Sequence, residues 1–199
     1  MKRLVIVTAV AVLALAGCGG EAVVPEGQGA HGHGASSAAP PPAASARFND
    51  ADVMYVQMMV DHLQLGISLS QLALAKATKQ EAKDLAGAID VTQREELSTL
   101  KSWLKLWDKP EGNGASMHSS HGGEPLLDAK VLDETKNKSG AEFDASFLNL
   151  MTGHQGSAVE MSLTEKKDGM NPEATAYAER VVASRQGQVQ QMLKIISQS

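Results

Sequence analysis

The sequence predicts an all-α fold: a four-helix bundle built from two repeated helical hairpins, joined by a long crossover that carries a short helix. Three observations lead there. Phe147, Leu150, Met151, His154, Ala158 and Met161 fall on one stripe at helical spacing. An earlier copy of the stripe runs through Tyr55, Met58, Met59, His62, Gly66 and Leu69, at a constant offset of 92 residues. Hydrophobic residues make up 43% of the chain but aromatics only 4%. A core of Ala, Leu, Val and Met suits close helix packing better than a β-sandwich.

Taken in order, the chain opens on Met1-Lys2-Arg3 and an apolar run from Leu4 to Ala16, too short to span a bilayer. Residues 1–17 are expected to be a signal peptide. The run ends in Leu15-Ala16-Gly17-Cys18, followed by Gly19-Gly20. This resembles a bacterial lipoprotein signal with its lipobox, which implies cleavage before Cys18, lipidation of that sulfur (palmitate among its acyl chains) and an extracytoplasmic protein anchored to the cell membrane. Cys18 is the chain's single cysteine, so a thioether-linked lipid accounts for the missing disulfide partner. The alternative is a plain secretory signal with an incidental cysteine. Residues 18–46 then form a flexible Gly/Ala/Pro linker, stiffened by Pro40-Pro41-Pro42. His31 and His33 lie within it, but two imidazoles on such a chain fix no ligand geometry.

The bundle is expected over 47–199. Asn49-Asp50 offers an N-cap for a helix from about Ala51 to Thr78. It is apolar on more than one face (Val53, Val56, Val60, Leu63, Ile67), so it should be largely enclosed. A break at Lys79-Gln80-Glu81 leads to a second helix ending near Trp107, with Leu85, Ile89, Leu97, Leu100 and Leu104 inward. Repeat one thus covers 48–107. The crossover, 108–140, holds Met117, His118 and His121 in a Gly/Ser setting, then a short helix from Pro125 to about Asn137. Repeat two, 141–197, has a helix from about Ala141 to Lys167 and, with Pro172 as its first residue, another to about Ser197. The offset of 92 continues through these partners: Asp52 to Asp144, Ile89 to Val181, Glu96 to Gln188 and Leu100 to Met192. Each hairpin alone would expose its apolar stripe, so the halves should pack about a pseudo-twofold axis.

That axis should bring His62 and His154 to face one another across a shared interior. Each follows a methionine by three residues, Met59 and Met151. Carboxylate di-iron bundles use Glu-x-x-His at this spacing because i and i+3 project together. Thioether in place of carboxylate favours a soft ion such as Cu(I) over iron. Met58 and Met161 add sulfur nearby, and Glu96 or Gln188 from the partner helices could complete or orient a site. Met117, His118 and His121 are a second candidate, in the crossover. The competing reading makes the histidines core residues bonded to Gln93, Glu96, Arg185 or Gln188, and the methionines gap-fillers.

Phe143-Asp144, Phe147-Leu148, Met151, His154, Ala158 and Met161 resemble the Phe-Asp-x-x-Phe-Leu-x-x-Met-Ile-x-His-His-x-x-Ala-x-x-Met pattern of the family called domain of unknown function 305. The first repeat carries a looser version through Met59, His62, Gln64 and Leu69, and the likeness spans about residues 48–197. The resemblance implies a ferritin-like four-helix bundle, often exported, with copper binding through Met and His in some members. Two adjacent histidines are usual in each repeat of that family; here Leu63 and Gln155 hold the second place. The family's Met-rich crossover is reduced to Met117 and two histidines.

The net charge of −5 and the lack of a basic patch beyond the first three residues argue against nucleic acid as a partner. The leading expectation is a membrane-anchored metal-binding protein, copper foremost, with no enzymatic activity and no protein partner specified. The alternative is a non-catalytic structural or interaction bundle. A redox enzyme ranks last, because Glu-x-x-His, an activated cysteine and a nucleotide loop are all missing from the sequence.

Overall fold

The computed structural model describes residues 47–112 and 129–198. Four long helices, α1 (Asp50–Lys76), α2 (Gln80–Leu106), α4 (Gly140–Asp168) and α5 (Pro172–Ser197), are accompanied by the short α3 (Ala129–Asn137). They form the expected bundle of two hairpins, α1–α2 and α4–α5, with α1 against α4 and α2 against α5, and α3 resting on α4. Among the described residues no helix is long and apolar enough to cross a membrane.

The helix ends follow the local chemistry. Asn49 caps α1 by accepting from the Asp52 backbone N–H, while the Asp52 carboxylate accepts from the Asn49 N–H at 2.6 Å, a reciprocal capping box. Asn171 caps α5, accepting from the Ala174 N–H, and Pro172 supplies the preset φ of a first helical residue. The break between α1 and α2 falls at Ala77–Lys79, slightly earlier than expected from sequence. Residues 125–128, the expected start of the crossover helix, lie outside the described residues, as do Cys18, His31, His33, Met117, His118 and His121.

The repeat is visible in how the core divides. One apolar cluster gathers Tyr55, Met59, Leu63, Leu100, Trp103 and Tyr177. The other gathers Leu69, Leu85, Ile89, Phe147, Met151 and Met192. An offset of 92 exchanges the two: Tyr55 maps to Phe147, Met59 to Met151 and Leu100 to Met192 one way, Ile89 to Val181 the other. Each cluster therefore draws on both hairpins, and neither hairpin owns a core. Leu97, expected inward, is half-buried against the first cluster, and Val189 and Ile196 are half-buried against the second.

Two buried aspartates, also related by the repeat, hold the halves in register. Asp52 accepts from the Met170 and Asn171 backbone N–H groups in the α4–α5 turn, at 3.0 and 2.9 Å through Oδ1. Asp144 accepts from the Thr78 and Lys79 N–H groups in the α1–α2 turn, both at 2.9 Å, and from the Thr78 hydroxyl at 2.5 Å. Each hairpin thus clamps the turn of its twin, and α1 and α4 run antiparallel between the clamps. Removing the Asp144 carboxylate would take the acceptor from two partly buried N–H donors and a hydroxyl. Hydrogen bonds to a charged acceptor are worth ~1.5–3 kcal/mol each, so Asp144→Ala is expected to lower the unfolding free energy by about 3 kcal/mol or more in urea titrations.

Beside Asp52 lies a third buried carboxyl, Glu165, packed so closely on Gly169 that a methyl group there would meet Glu165 Oε1 at 2.3 Å. Burial, then the adjacent Asp52, then Asp168 push the Glu165 pKa up from 4.5 to about 9. The fold therefore favours protonated Glu165. Its stabilising contribution is complete below pH 4.5 and is lost as pH rises through about 9. Glu165→Gln should melt at a higher temperature than the parent at pH 9, with the gap shrinking towards pH 5; a gap independent of pH would show that Glu165 does not titrate this way.

Candidate metal centre

On α1 the centre, His62 with Gly66, sits between Val60, in the first apolar cluster, and Leu69, in the second. His62 from α1 and His154 from α4 are 0% and 1% exposed. Their rings lie face to face, with centroids 3.7 Å apart and planes within 2° of parallel. The antiparallel pairing of α1 with α4 explains the meeting: both imidazoles project from the middle of helices fixed at their ends by Asp52 and Asp144. The expected approach of the two histidines is present, and it is direct ring contact.

Close approach also depends on Gly66, one turn after His62. A methyl group at this position would lie 2.2 Å from Gln93 Oε1 and 2.6 Å from His154 Nε2. The α2 amide and the α4 imidazole therefore converge on the bare backbone of α1. Neither nitrogen of His154 has a hydrogen-bond partner, and neither do the amide oxygen and nitrogen of fully buried Gln93. Buried polar atoms ordinarily find partners, so these donors and acceptors are unspent capacity at the centre of the bundle.

Burial pushes the His154 pKa down from 6.5 to about 3, and the Arg185 charge acts in the same direction. His154 is consequently neutral near pH 7, with one nitrogen carrying an in-plane lone pair. Arg185 is itself fully buried and forms an ion pair with Glu96. Burial raises the Glu96 carboxyl above its ordinary range while Arg185 pulls it back down. Gln155 Nε2 donates to Gln188 Oε1 at 2.5 Å. The repeat relates these groups as well: Gln93 corresponds to Arg185 and Glu96 to Gln188. The polar layer is thus shared between both hairpins, like the apolar clusters on either side.

The methionines expected around the imidazoles are all at least half-buried. Met59 and Met151 are both fully buried, one in each apolar cluster. Met58 and Met161 are half-buried and line a cavity between α1 and α4. The groups that converge with His154 on Gly66 or act on its charge are an amide and a guanidinium, Gln93 and Arg185. Glu96 spends its carboxylate on Arg185, and Gln188 accepts from Gln155. From the sequence, Gln93 and Arg185 were expected only as possible hydrogen-bond partners of core histidines. The signal for their part in the centre is their matched position in the repeat. Gly66, aligned with Ala158, gave a weaker hint.

Chemically, two parallel imidazoles 3.7 Å apart leave no room for an ion between their faces. Their lone pairs lie in the ring planes and so run parallel, and an ion taken by both would require the rings to turn out of the stack. Among the described residues, no three or more His, Cys, Asp or Glu side chains gather as a metal-holding group. The donor set is poor in charge, which suits a soft monovalent ion better than a hard divalent one. The Arg185 charge, balanced by Glu96, leaves the layer close to neutral.

Residues 52–196 match the model of a family described as Domain of unknown function (DUF305). The chain belongs to this family. Solved structures of similar proteins include one from Streptomyces coelicolor, described as secreted, at 21% identity and a TM-score of 0.69, covering 74% of this chain and 93% of that one. A DUF305 fragment from Deinococcus radiodurans is 22% identical with a TM-score of 0.67, covering 79% of this chain and 100% of the fragment. CopM in its Cu(I)-bound form is 26% identical with a TM-score of 0.61, over 74% of this chain and 96% of CopM. CopM has also been solved with Cu(II) and with silver. No curated protein matches the chain.

Two outcomes are expected of the metal-free protein. The His154 ring should remain neutral in NMR titrations down to about pH 3. Because its folded pKa lies below the unfolded value, its contribution is present above pH 6.5 and is lost as pH falls towards 3, with a slope approaching ~1.4 kcal/mol per pH unit. His154→Gln should flatten that part of the stability profile. Gly66→Ala should cost ~1–3 kcal/mol by overpacking and displace Gln93, read as a change in the His154 ring resonances.

Proposed function

We propose that this DUF305 protein is an extracytoplasmic binder or buffer of a soft metal ion, copper(I) foremost, tethered to the membrane through lipidated Cys18. The observation that carries the reading is the His62–His154 pair: two stacked imidazoles sealed from solvent, with His154 neutral and both its nitrogens without hydrogen-bond partners. A core histidine kept for structure would bond to a neighbour; this one reserves its lone pair. The likeness to CopM, solved with Cu(I) and with silver, supports copper as the ion. His62 and His154 would hold it, and the role is binding without catalysis. Met117, His118 and His121 are proposed as an accessory crossover site, and Met59 and Met151 as apolar packing around the centre.

A second reading, a structural or interaction bundle with core histidines, is favoured by one feature. Arg185 is a buried cation whose charge reaches His154, and a positive neighbour opposes metal uptake. Titration of the full chain with Cu(I) under reducing conditions, against a chromogenic chelator, separates the two. The metal reading expects uptake in the parent and at least tenfold weaker binding in His62→Gln/His154→Gln, whose amides are poor ligands for Cu(I). Equal binding by parent and double variant, or none by the parent, would support the structural reading.

A further inference from the structure

We infer that the cavity between α1 and α4 binds a small aromatic amine, its ring laid on Tyr55 and its ammonium group held by Glu165. The cavity has a volume of about 400 Å³, with Ala51, Met54, Tyr55, Met58, Met161 and Glu165 among its lining. Glu165 is 1% exposed, and neither of its carboxyl oxygens has a hydrogen-bond partner. Asp52 lies beside it but spends its own oxygens on the Asn49, Met170 and Asn171 N–H groups. A buried carboxyl ordinarily finds partners, so this one offers unused polar contacts to a cavity with largely apolar walls. That combination is typical of small-molecule sites. Glu160 and Asp168, both exposed, also line the cavity and give its mouth a negative field that selects cations.

The pseudo-twofold shows what would fill the space. It carries Ala51 to Phe143 and Tyr55 to Phe147, and relates Glu165 to Ala73 and Asp168 to Lys76. At that equivalent place Phe143 is fully buried, and its ring lies parallel to Phe147 within 4°, with centroids 6.3 Å apart. Lys76 Nζ lies 5.2 Å from the centre of the Phe143 ring. An aromatic ring and an ammonium group thus occupy that half of the bundle from within the chain. On the cavity side Ala51 presents only a methyl group, while the stacking partner is still aromatic, as Tyr55. Acids replace Ala73 and Lys76. The cavity therefore supplies the surroundings for a ring and an ammonium group without supplying either. Tyr55 is held by its hydroxyl on Ser162 at 2.8 Å, and the three methionines are polarisable walls suited to an aromatic ligand. The inference requires no metal at the imidazoles.

Uptake of a cation should also move a proton. Burial and the neighbouring carboxylates keep Glu165 protonated up to about pH 9. The groups around it are Asp52 and Tyr55 on α1 and Asp168 on α4, the last also 3.7 Å from exposed Lys167. An ammonium ion favours the ionised carboxyl, so binding releases the proton to solvent and tightens as pH rises, by up to about tenfold per unit.

The test titrates the metal-free full chain with phenethylammonium by calorimetry, with phenethyl alcohol and hydrocinnamate as its neutral and anionic counterparts. The expected result is saturable binding of the amine with proton release, binding of the alcohol at least tenfold weaker, and none of the acid. Glu165→Gln should weaken the amine at least tenfold, leave the alcohol unchanged and flatten the pH dependence. Ala51→Phe, which supplies the ring in cis, should abolish binding of both. In the unsubstituted protein the Met54, Met58 and Met161 methyl resonances should move together with the amine, which decides the matter even where a variant fails to fold. Equal affinity for amine and alcohol, parental affinity in folded Glu165→Gln, or unmoved resonances for these methyls at millimolar amine would overturn the inference.

Discussion

The antiparallel pairing of α1 with α4 is the constraint on which the rest of the molecule depends. Each end is fixed by a buried aspartate that reaches out of one hairpin and satisfies the backbone of the other hairpin's turn. Such an arrangement resists sliding, because a shift by even one residue would strand buried N–H groups. With both ends set, the midpoints of the two helices must coincide, and the two imidazoles occupy those midpoints. The apolar clusters fill the space on either side, each assembled from both halves. A polar layer can persist between them because fixed ends and packed flanks leave it nowhere to go.

Burying such a layer is costly unless its members satisfy one another. Some do: Arg185 with Glu96, and Gln155 with Gln188. His154 and Gln93 do not. Neutral imidazole is the cheapest protonation state for a ring so deeply enclosed, and the same desolvation that keeps the proton off leaves a nitrogen ready to bind. On the proposed reading, a hard divalent ion would bring charge that no carboxylate of the layer is free to meet, whereas a soft monovalent ion would ask only for neutral imidazole.

Much of this was legible in the sequence. The offset of 92 residues revealed two hairpins, their dependence on one another and the meeting of His62 with His154, because helical periodicity and internal repetition are one-dimensional signals. The cap at Asn49 and the helix start at Pro172 were readable for the same reason. The clamps were not. Asp52 and Asp144 stood out as repeat partners, but nothing in their neighbourhood says that each faces the other hairpin's turn. The membership of Met59 and Met151 in two different apolar clusters was equally hidden, since spacing alone puts both on the histidine stripe. Arg185 reads from sequence as one of four possible partners of a core histidine, and only the tertiary fold shows it wholly enclosed. Gly66 looked like a loss of side chain on an apolar face; it is the gap that admits Gln93 and His154.

The central claim, that His62 and His154 form one buried site capable of taking a soft ion, is tested most directly by a crystal structure of the protein loaded with Ag(I), with silver located by anomalous scattering. The account predicts a silver peak inside the bundle bonded to a nitrogen of each imidazole, with the two rings turned out of their stack to reach it. Silver confined to thioethers or to the crossover, with the two rings still stacked and bare, would contradict it.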